Sequence, residues 1–200
     1  MRNIQLLKLK DYKPLKWKNG KGTTAEIAIS PPEAAFNEGN FKWRVSTAPV
    51  VENGSFSQFP DHDRCLIILT GQGVRLNGLP IAPLVVHTFS GADETYCELI
   101  EGSVTDLSVF VRRGSYYANV EILEVDRPFR FESKSVAELF YIVKGQLRIA
   151  NGSVSLTAEE RDSILMRDSS SALQGAVDAC VQLAGVNGPT LVARISIMQS

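Results

Sequence analysis

Phe41 to Gly78 reads FKWRVSTAPVVENGSFSQFPDHDRCLIILTGQGVRLNG, and the rest of the chain repeats, closes or lines this stretch. At period two, Trp43, Val45 and Thr47 point one way and Arg44, Ser46 and Ala48 the other, which predicts a half-buried strand whose second face is polar. Glu52-Asn53-Gly54-Ser55 and Phe59-Pro60-Asp61 supply turn chemistry. Cys65 to Leu69 is an apolar run of strand length. Gly71-Gln72-Gly73 breaks it, and Val74 and Leu76 then alternate against Arg75 and Asn77, so strand, glycine turn and strand make a hairpin.

Upstream, Ile4 to Leu9 reads as a short strand and Tyr12 to Leu15 as a turn out of it. WKNGKGTTAEI, Trp17 to Ile27, runs from a tryptophan through Asn19, Gly20 and Gly22 into a strand, and its glycines either free the backbone or let another group approach closely. It is not a phosphate loop, because the Lys-Ser/Thr ending and the following helix are missing. Downstream, Leu79-Pro80-Ile81-Ala82-Pro83 is excluded from a central strand by its two prolines, and TDLSVFVRR, from Thr105, sets Leu107, Val109 and Val111 against Asp106, Ser108, Phe110 and Arg112.

The second half mirrors the first. Leu139 to Ile149 repeats the apolar strand, Gly-Gln turn and strand of Leu66 to Leu76, and Ser153–Leu156, Ser163–Met166, Cys180–Ala184 and Thr190–Met198 follow as strands. Many short strands with glycine turns and an internal echo predict an all-β chain of two jelly-roll-like barrels, similar to the cupin class: a bicupin. The expected division is 1–115 for the first barrel, with the ligand pocket, and 116–200 for the second, with strands free to exchange between them.

Composition narrows the function. With 21 basic and 22 acidic residues the net charge is −1, which gives no global attraction to nucleic acid or an anionic membrane. MRNIQLLKLKDYK lacks a signal-peptide core and no stretch reaches a bilayer span, so a cytoplasmic protein is expected. Cys65, Cys97 and Cys180 are odd in number and far apart, which suits buried thiols in a reducing compartment. Cupin-type barrels commonly pair through sheet edges or faces, leaving a homodimer open.

A cupin metal needs three or four converging ligands, chiefly histidines, and this chain has only His62 and His87. Arg64 stands seven residues before Gly71, where such cupins carry the ligand glutamate; Glu138 stands seven before Gly145, but with Glu132 and Lys134 where histidines would be needed. No metal and no other cofactor is expected. His62 beside Asp61 and Asp63 is read either as a base with an orienting carboxylate or as an exposed loop histidine, and His87 as a packing residue at a barrel rim. No nucleophile motif is present and no catalytic residue is assigned.

The stronger signal is cationic. Arg44, Arg64 and Arg112 come from three separated motifs on or at the end of polar strand faces, and a buried guanidinium demands partners. Either Glu26, Asp63 and Asp106 pair with them internally, or at least one grips a ligand carboxylate through its planar fork. Trp17 and Trp43 are candidate walls, Asn19 and Ser46 candidate polar contacts, and Glu26 an acceptor for an amide or ammonium. A metal-free binding protein and a small-molecule isomerase or hydrolase using a carboxylate or histidine both stay open.

The separated motifs WKNGKGTTAEI, FKWRVSTAPVVENGSFSQFPDHDR, Gly71-Gln72-Gly73 and TDLSVFVRRG, in this order, resemble the HutD/Ves family of bicupins, from about Trp17 to Arg113 and more weakly beyond. Lys21 interrupts a glycine run, His62 stands before the Asp-Arg pair, and Ser108 replaces a common asparagine, shortening a polar reach into the pocket. The resemblance implies an accessory or regulatory protein of histidine utilisation that senses a small acidic metabolite, with N-formylglutamate as the leading type.

Overall fold

The computed structural model describes residues 2–17, 22–131, 133–151, 154–168 and 181–200. Among them the only helical turns are 3-10, Leu9–Asp11 and Phe36–Glu38, and no helix is long and apolar enough to cross a membrane. In chain order the strands are β1 (Arg2–Leu7), β2 (Lys13–Lys16), β3 (Thr23–Ser30), β4 (Trp43–Val50), β5 (Gly54–Ser55), β6 (His62–Thr70), β7 (Val74–Leu76), β8 (Leu79–Ile81), β9 (His87–Ser90), β10 (Tyr96–Leu99) and β11 (Val104–Arg112). They continue as β12 (Tyr116–Val125), β13 (Phe129–Phe131), β14 (Ala137–Lys144), β15 (Gln146–Asn151), β16 (Val154–Glu159), β17 (Ser163–Asp168), β18 (Val181–Gly185) and β19 (Thr190–Gln199).

These strands form two units. The N-terminal unit, residues 12–118 with Ser200, has sheets ordered β2-β3-β4-β11-β6-β9 and β5-β10-β7-β8. The C-terminal unit, residues 1–11 and 119–199, has β1-β17-β14-β19-β12 and β13-β18-β15-β16. The order β4-β11-β6-β9 of the first recurs as β12-β19-β14-β17 in the second, and β5-β10-β7-β8 as β13-β18-β15-β16. The chain is therefore all-β with two jelly-roll-like copies, the bicupin arrangement. Gly71 and Gly145 stand at matching turns with φ of 94° and 90°, a backbone that favours glycine.

The domain limits differ from 1–115 and 116–200. Residues 1–11 belong to the C-terminal unit because β1 pairs with β17 along its whole length, and Asp162 then fixes the exit by accepting from Lys8 Nζ at 2.8 Å and the Leu9 N–H at 3.0 Å. The break falls after residue 118, inside β12, whose alternation is too weak to declare a strand from the sequence. Lys13–Lys16, whose first three residues fall within the expected turn Tyr12 to Leu15, pairs with β3, and among the described strands Leu79–Ile81 pairs only with β7, as its proline requires of an edge.

In the N-terminal unit the core between the sheets joins Val50, Leu66, Ile68 and Val104 of the larger sheet to Val74, Leu76, Ile81 and Cys97 of the smaller. A second cluster, Ile29, Ala34, Phe41 and Phe110 with Phe36 and Phe59, adjoins the β3–β4–β11 side. The corresponding core of the C-terminal unit joins Phe140, Ile142, Ile164, Met166 and Val192 to Leu147, Ile149, Ala158 and Leu183. β4 is not half-buried: Trp43, Val45 and Thr47 are buried, and so are Arg44, Ser46 and Ala48. Its polar face looks into the protein, and the reason is a cavity.

Candidate functional site

Antiparallel register assembles one polar face from three strands. Across β4 and β11, Arg44 lies opposite Phe110, Ser46 opposite Ser108 and Ala48 opposite Asp106. Across β11 and β6, Phe110 lies opposite Arg64 and Asp106 opposite Ile68. Because side chains alternate at period two, Arg44, Ser46, Arg64, Asp106, Ser108 and Phe110 share that face. It borders a cavity of about 370 Å³, further walled by Trp17, Phe36, Phe56, Phe59, Val50 and Cys97. That volume lies toward the lower end of the about 300–1,000 Å³ usual for small-molecule sites.

The two arginines of this face are held differently. Arg44, 1% exposed, donates from Nε to Glu26 Oε2 at 2.7 Å and from Nη1 to Ser46 Oγ at 2.9 Å, with its guanidinium carbon 3.8 Å from the Phe36 ring centre. Arg64, 7% exposed, makes one long hydrogen bond, from Nη1 to the Ser57 carbonyl at 3.4 Å, and no ion pair among the described residues. Its Nε is buried without a partner. Phe110, Phe89 and Phe56 surround its guanidinium, with ring centres at 4.5, 4.8 and 5.0 Å. Cation–π attraction of about 0.5–2 kcal/mol offsets part of the desolvation cost, but Nε stays unmet and Nη1 only weakly met. Burial pulls the Arg64 pKa down to about 10, the nearby Asp106 opposing this, so the group stays charged at neutral pH.

Asp106 completes the electrostatics. Its Oδ1 accepts the Ala48 N–H at 3.0 Å, and it too makes no ion pair within 4 Å among the described residues. Burial pushes its carboxyl up to about 6, against the pull of Arg64, the Ala48 N–H, Arg44 and Ser108. Cys97 is held as an unreactive thiol, raised to about 11 chiefly by burial.

Of the residues singled out in the sequence, Trp17, Arg44, Ser46, Arg64 and Asp106 line this cavity, and Glu26 stands behind it on Arg44. Trp17 is tied by Nε1 to Thr24 Oγ1 at 2.8 Å. Trp43 is buried on the opposite face of β4, as its odd register with Arg44 requires. Asp63 is half exposed and pairs with Arg113 at 2.7 Å, while Arg112, at the end of β11, donates to the Gly39 carbonyl at 3.1 Å; neither lines the cavity. Asn19 lies outside the described residues.

His62 is neither a loop residue nor a base in the cavity. It opens β6 1% exposed, stacks on Phe41 at 4.1 Å, and its Nε2 lies 3.0 Å from the Phe41 carbonyl. A carbonyl only accepts, so Nε2 carries the proton, and burial lowers the ring's pKa below the ordinary histidine value. His87 stacks on Phe89 at 5.7 Å on the edge strand β9, outside the cavity lining. Sequence periodicity left out Phe36, Phe56, Phe59 and Ser57, since residues outside strands have no strand parity to read.

The donor set does not fit a cupin metal. The described lining contains two guanidinium groups and no histidine, and no group of three or more His, Cys, Asp or Glu among the described residues is placed to hold an ion. In the C-terminal unit Glu138 is equally committed. It is 1% exposed and accepts from Arg194 Nη2 at 3.1 Å and Nε at 3.2 Å, from Ser196 at 2.8 Å, and from Ser133 and Ser135 at 2.6 and 3.0 Å.

Known proteins of similar sequence and fold bear on this arrangement. An uncharacterized 21.2 kDa protein in the hutC 3'region of Pseudomonas putida is 35% identical over 126 residues, which take in 60% of this chain and 65% of that protein, just under two thirds of its length. Protein Ves of Citrobacter koseri is 32% identical over 151 residues, covering 72% of this chain and 74% of the relative. The solved structure of HutD from Pseudomonas fluorescens SBW25 superposes with a TM-score of 0.76 over 99% of this chain and 100% of that one, and its 23% identity makes this a likeness of fold. A family model described as HutD matches residues 9–184, and this chain belongs to the HutD family.

Proposed function

We propose that the chain is a metal-free small-molecule-binding protein of histidine utilisation, whose N-terminal cavity senses a small carboxylate such as N-formylglutamate in an accessory or regulatory role. Arg64 carries this reading. A guanidinium buried among three phenylalanines with one long hydrogen bond has lost hydration that the protein does not replace. A carboxylate supplies two acceptors in the geometry of that fork. Arg44 needs no ligand to the same degree, because Glu26 and Ser46 already engage it. The aromatic walls suit the apolar body of a metabolite. Membership in the HutD family and the hutC-region relative support the link to histidine utilisation. The buried free thiols of Cys65 and Cys97 suit a cytoplasmic place of action.

An isomerase or hydrolase would have to use Asp106. Of the carboxylates first considered, Glu26 is bonded to Arg44 and Asp63 to Arg113, and both histidines lie outside the cavity lining. Asp106 alone combines burial, a place on the cavity face and a carboxyl raised toward neutrality.

Thermal unfolding with N-formylglutamate, followed in parallel by NMR of the ligand, tests the proposal. A ligand-dependent rise in melting temperature without product supports sensing, and Arg64→Met is expected to abolish the rise. An unchanged rise in Arg64→Met removes Arg64 from the site. Turnover that disappears in Asp106→Asn replaces the sensing role by an enzymatic one.

A further inference from the structure

A second cavity, of about 290 Å³, shares Trp17, Thr24, Phe36, Arg44, Ser57 and Phe59 with the first. The two cavities adjoin as two compartments, with those residues in the walls of both. Their charge differs. The first has Arg44 and Arg64 with Asp106 and Glu52, two of each sign. Among the described residues, the second has Lys13, Lys16 and Arg44 with Glu26 as its only acid, and Glu26 is already engaged by Arg44. Neither lysine makes an ion pair among the described residues, so the second compartment holds the surplus positive charge.

The strand pairing places one of these charges on the cavity face: Lys13 has the parity of Leu15, Thr24 and Glu26, whereas Lys16, three residues on, has the other parity and borders the lining at the end of β2. β2 is the outer strand of the larger sheet, and Lys13 lies opposite Glu26 and Lys16 opposite Thr23 across β2 and β3. Both lysines are exposed and can lay their stems along the compartment's apolar wall while keeping the ammonium groups wet. Arg44 lies beneath both compartments, and its Nη2 has no hydrogen-bond partner.

We infer that the two compartments form one bipartite site for a dianion, with a carboxylate at Arg64 and a second acidic group in the compartment of Lys13, Lys16 and Arg44. The inference rests on the carboxylate-sensing reading above, whose leading ligand, N-formylglutamate, has two carboxylates, and it assigns the second acidic group of such a ligand its place in the protein. Arg64 supplies a buried, planar contact that fixes one end, and the lysines supply a mobile contact that accepts either a carboxylate or a similarly sized anionic group at the other. Discrimination between mono- and dianions then comes from the second compartment, while affinity for the first carboxylate comes from the first.

Calorimetric titration of the whole chain with the α,ω-dicarboxylates from succinate to suberate, and with the monocarboxylates of equal length, tests this. At least one dicarboxylate is expected to bind about tenfold or more tightly than its monocarboxylate. Lys13→Gln with Lys16→Gln should erase that preference by weakening the dicarboxylate far more than the monocarboxylate, and added salt should weaken it, since the lysines are exposed. Arg64→Met should weaken both kinds of acid. Equal affinities at every length, or a preference that survives loss of both lysines, overturns the bipartite site and leaves the carboxylate contact at Arg64 standing. Failure of every acid to bind overturns both.

Discussion

Arg44 Nε donates to Glu26 Oε2 at 2.7 Å with both side chains buried, whereas Arg64 on the same face has no carboxylate partner among the described residues. The first consequence concerns stability. Removing one partner of a buried pair strands the other charge, at roughly 3–5 kcal/mol. Glu26→Leu is therefore expected to lower the unfolding free energy by about that amount in urea, and the double variant Glu26→Leu with Arg44→Met to recover most of it. A loss below about 1 kcal/mol in the single variant would mean that Arg44 finds another partner.

Arg64 predicts the opposite sign. With no ion pair to break, Arg64→Met exchanges an under-bonded cation for an apolar chain of similar length among Phe56, Phe89 and Phe110. The ligand-free protein is expected to gain about 1 kcal/mol or more while carboxylate binding is lost, the pattern of a residue kept for function at the expense of the fold. A destabilised, binding-competent variant would contradict it.

Period-two alternation was enough to bring Arg44, Ser46, Arg64 and Asp106 together, because adjacent antiparallel strands in register share a face. The same rule separates Trp43 from Arg44 and Asp63 from Arg64, one residue out of step in each strand, so motif proximity was a poorer guide than parity. Arg112 has the parity of Asp106 yet lies at the end of β11, where the Gly39 carbonyl captures it. Strand ends and loops escape the rule, which is why Phe36, Phe56 and Phe59 were not legible and why His62 turned out buried on Phe41. The repeat of strand order was legible in outline, but the exchange of β1 was not, since pairing with β17 spans more than 150 residues of chain.

Asp106 sets the pH dependence of binding. Its carboxyl, raised to about 6 mainly by burial, gives up its proton across about pH 5 to 7, with Arg64 of β6 and Arg44 of β4 as the charges acting on it and Glu52 the other, exposed acid of the lining. When it is protonated, the incoming carboxylate meets Arg64 with no buried acid opposing it; when it is ionised, a like charge is already present. A bound anion therefore holds the proton on Asp106, binding takes up protons, and affinity falls as pH rises. Between about pH 5.5 and 7.5 the fall should be several-fold and at most about tenfold per unit, since one proton is involved. Titrations in buffers of different ionisation enthalpy read the uptake directly, and Asp106→Asn should flatten the profile. Affinity that climbs with pH would exclude Asp106 from this role.

Gly22 is required by Trp17. The Trp17 N–H donates to the Gly22 carbonyl at 2.9 Å, and a Cβ on Gly22 would lie 2.8 Å from Cδ2 and Cε3 of the indole, closer than real contacts allow. Gly22→Ala must therefore displace the ring from the wall it forms to both compartments and strain its bond to Thr24. The displacement lies near β2, the outer strand of its sheet, so the unfolding free energy should change by only about 1 kcal/mol. Carboxylate affinity should fall about tenfold, because the wall no longer excludes water from the bound anion. Trp43 is the other tryptophan, so a Trp43→Phe background makes the fluorescence report on Trp17 alone. In that background Gly22→Ala should shift the emission to the red and remove its response to ligand; emission and affinity both unchanged would show that the indole does not wall the site.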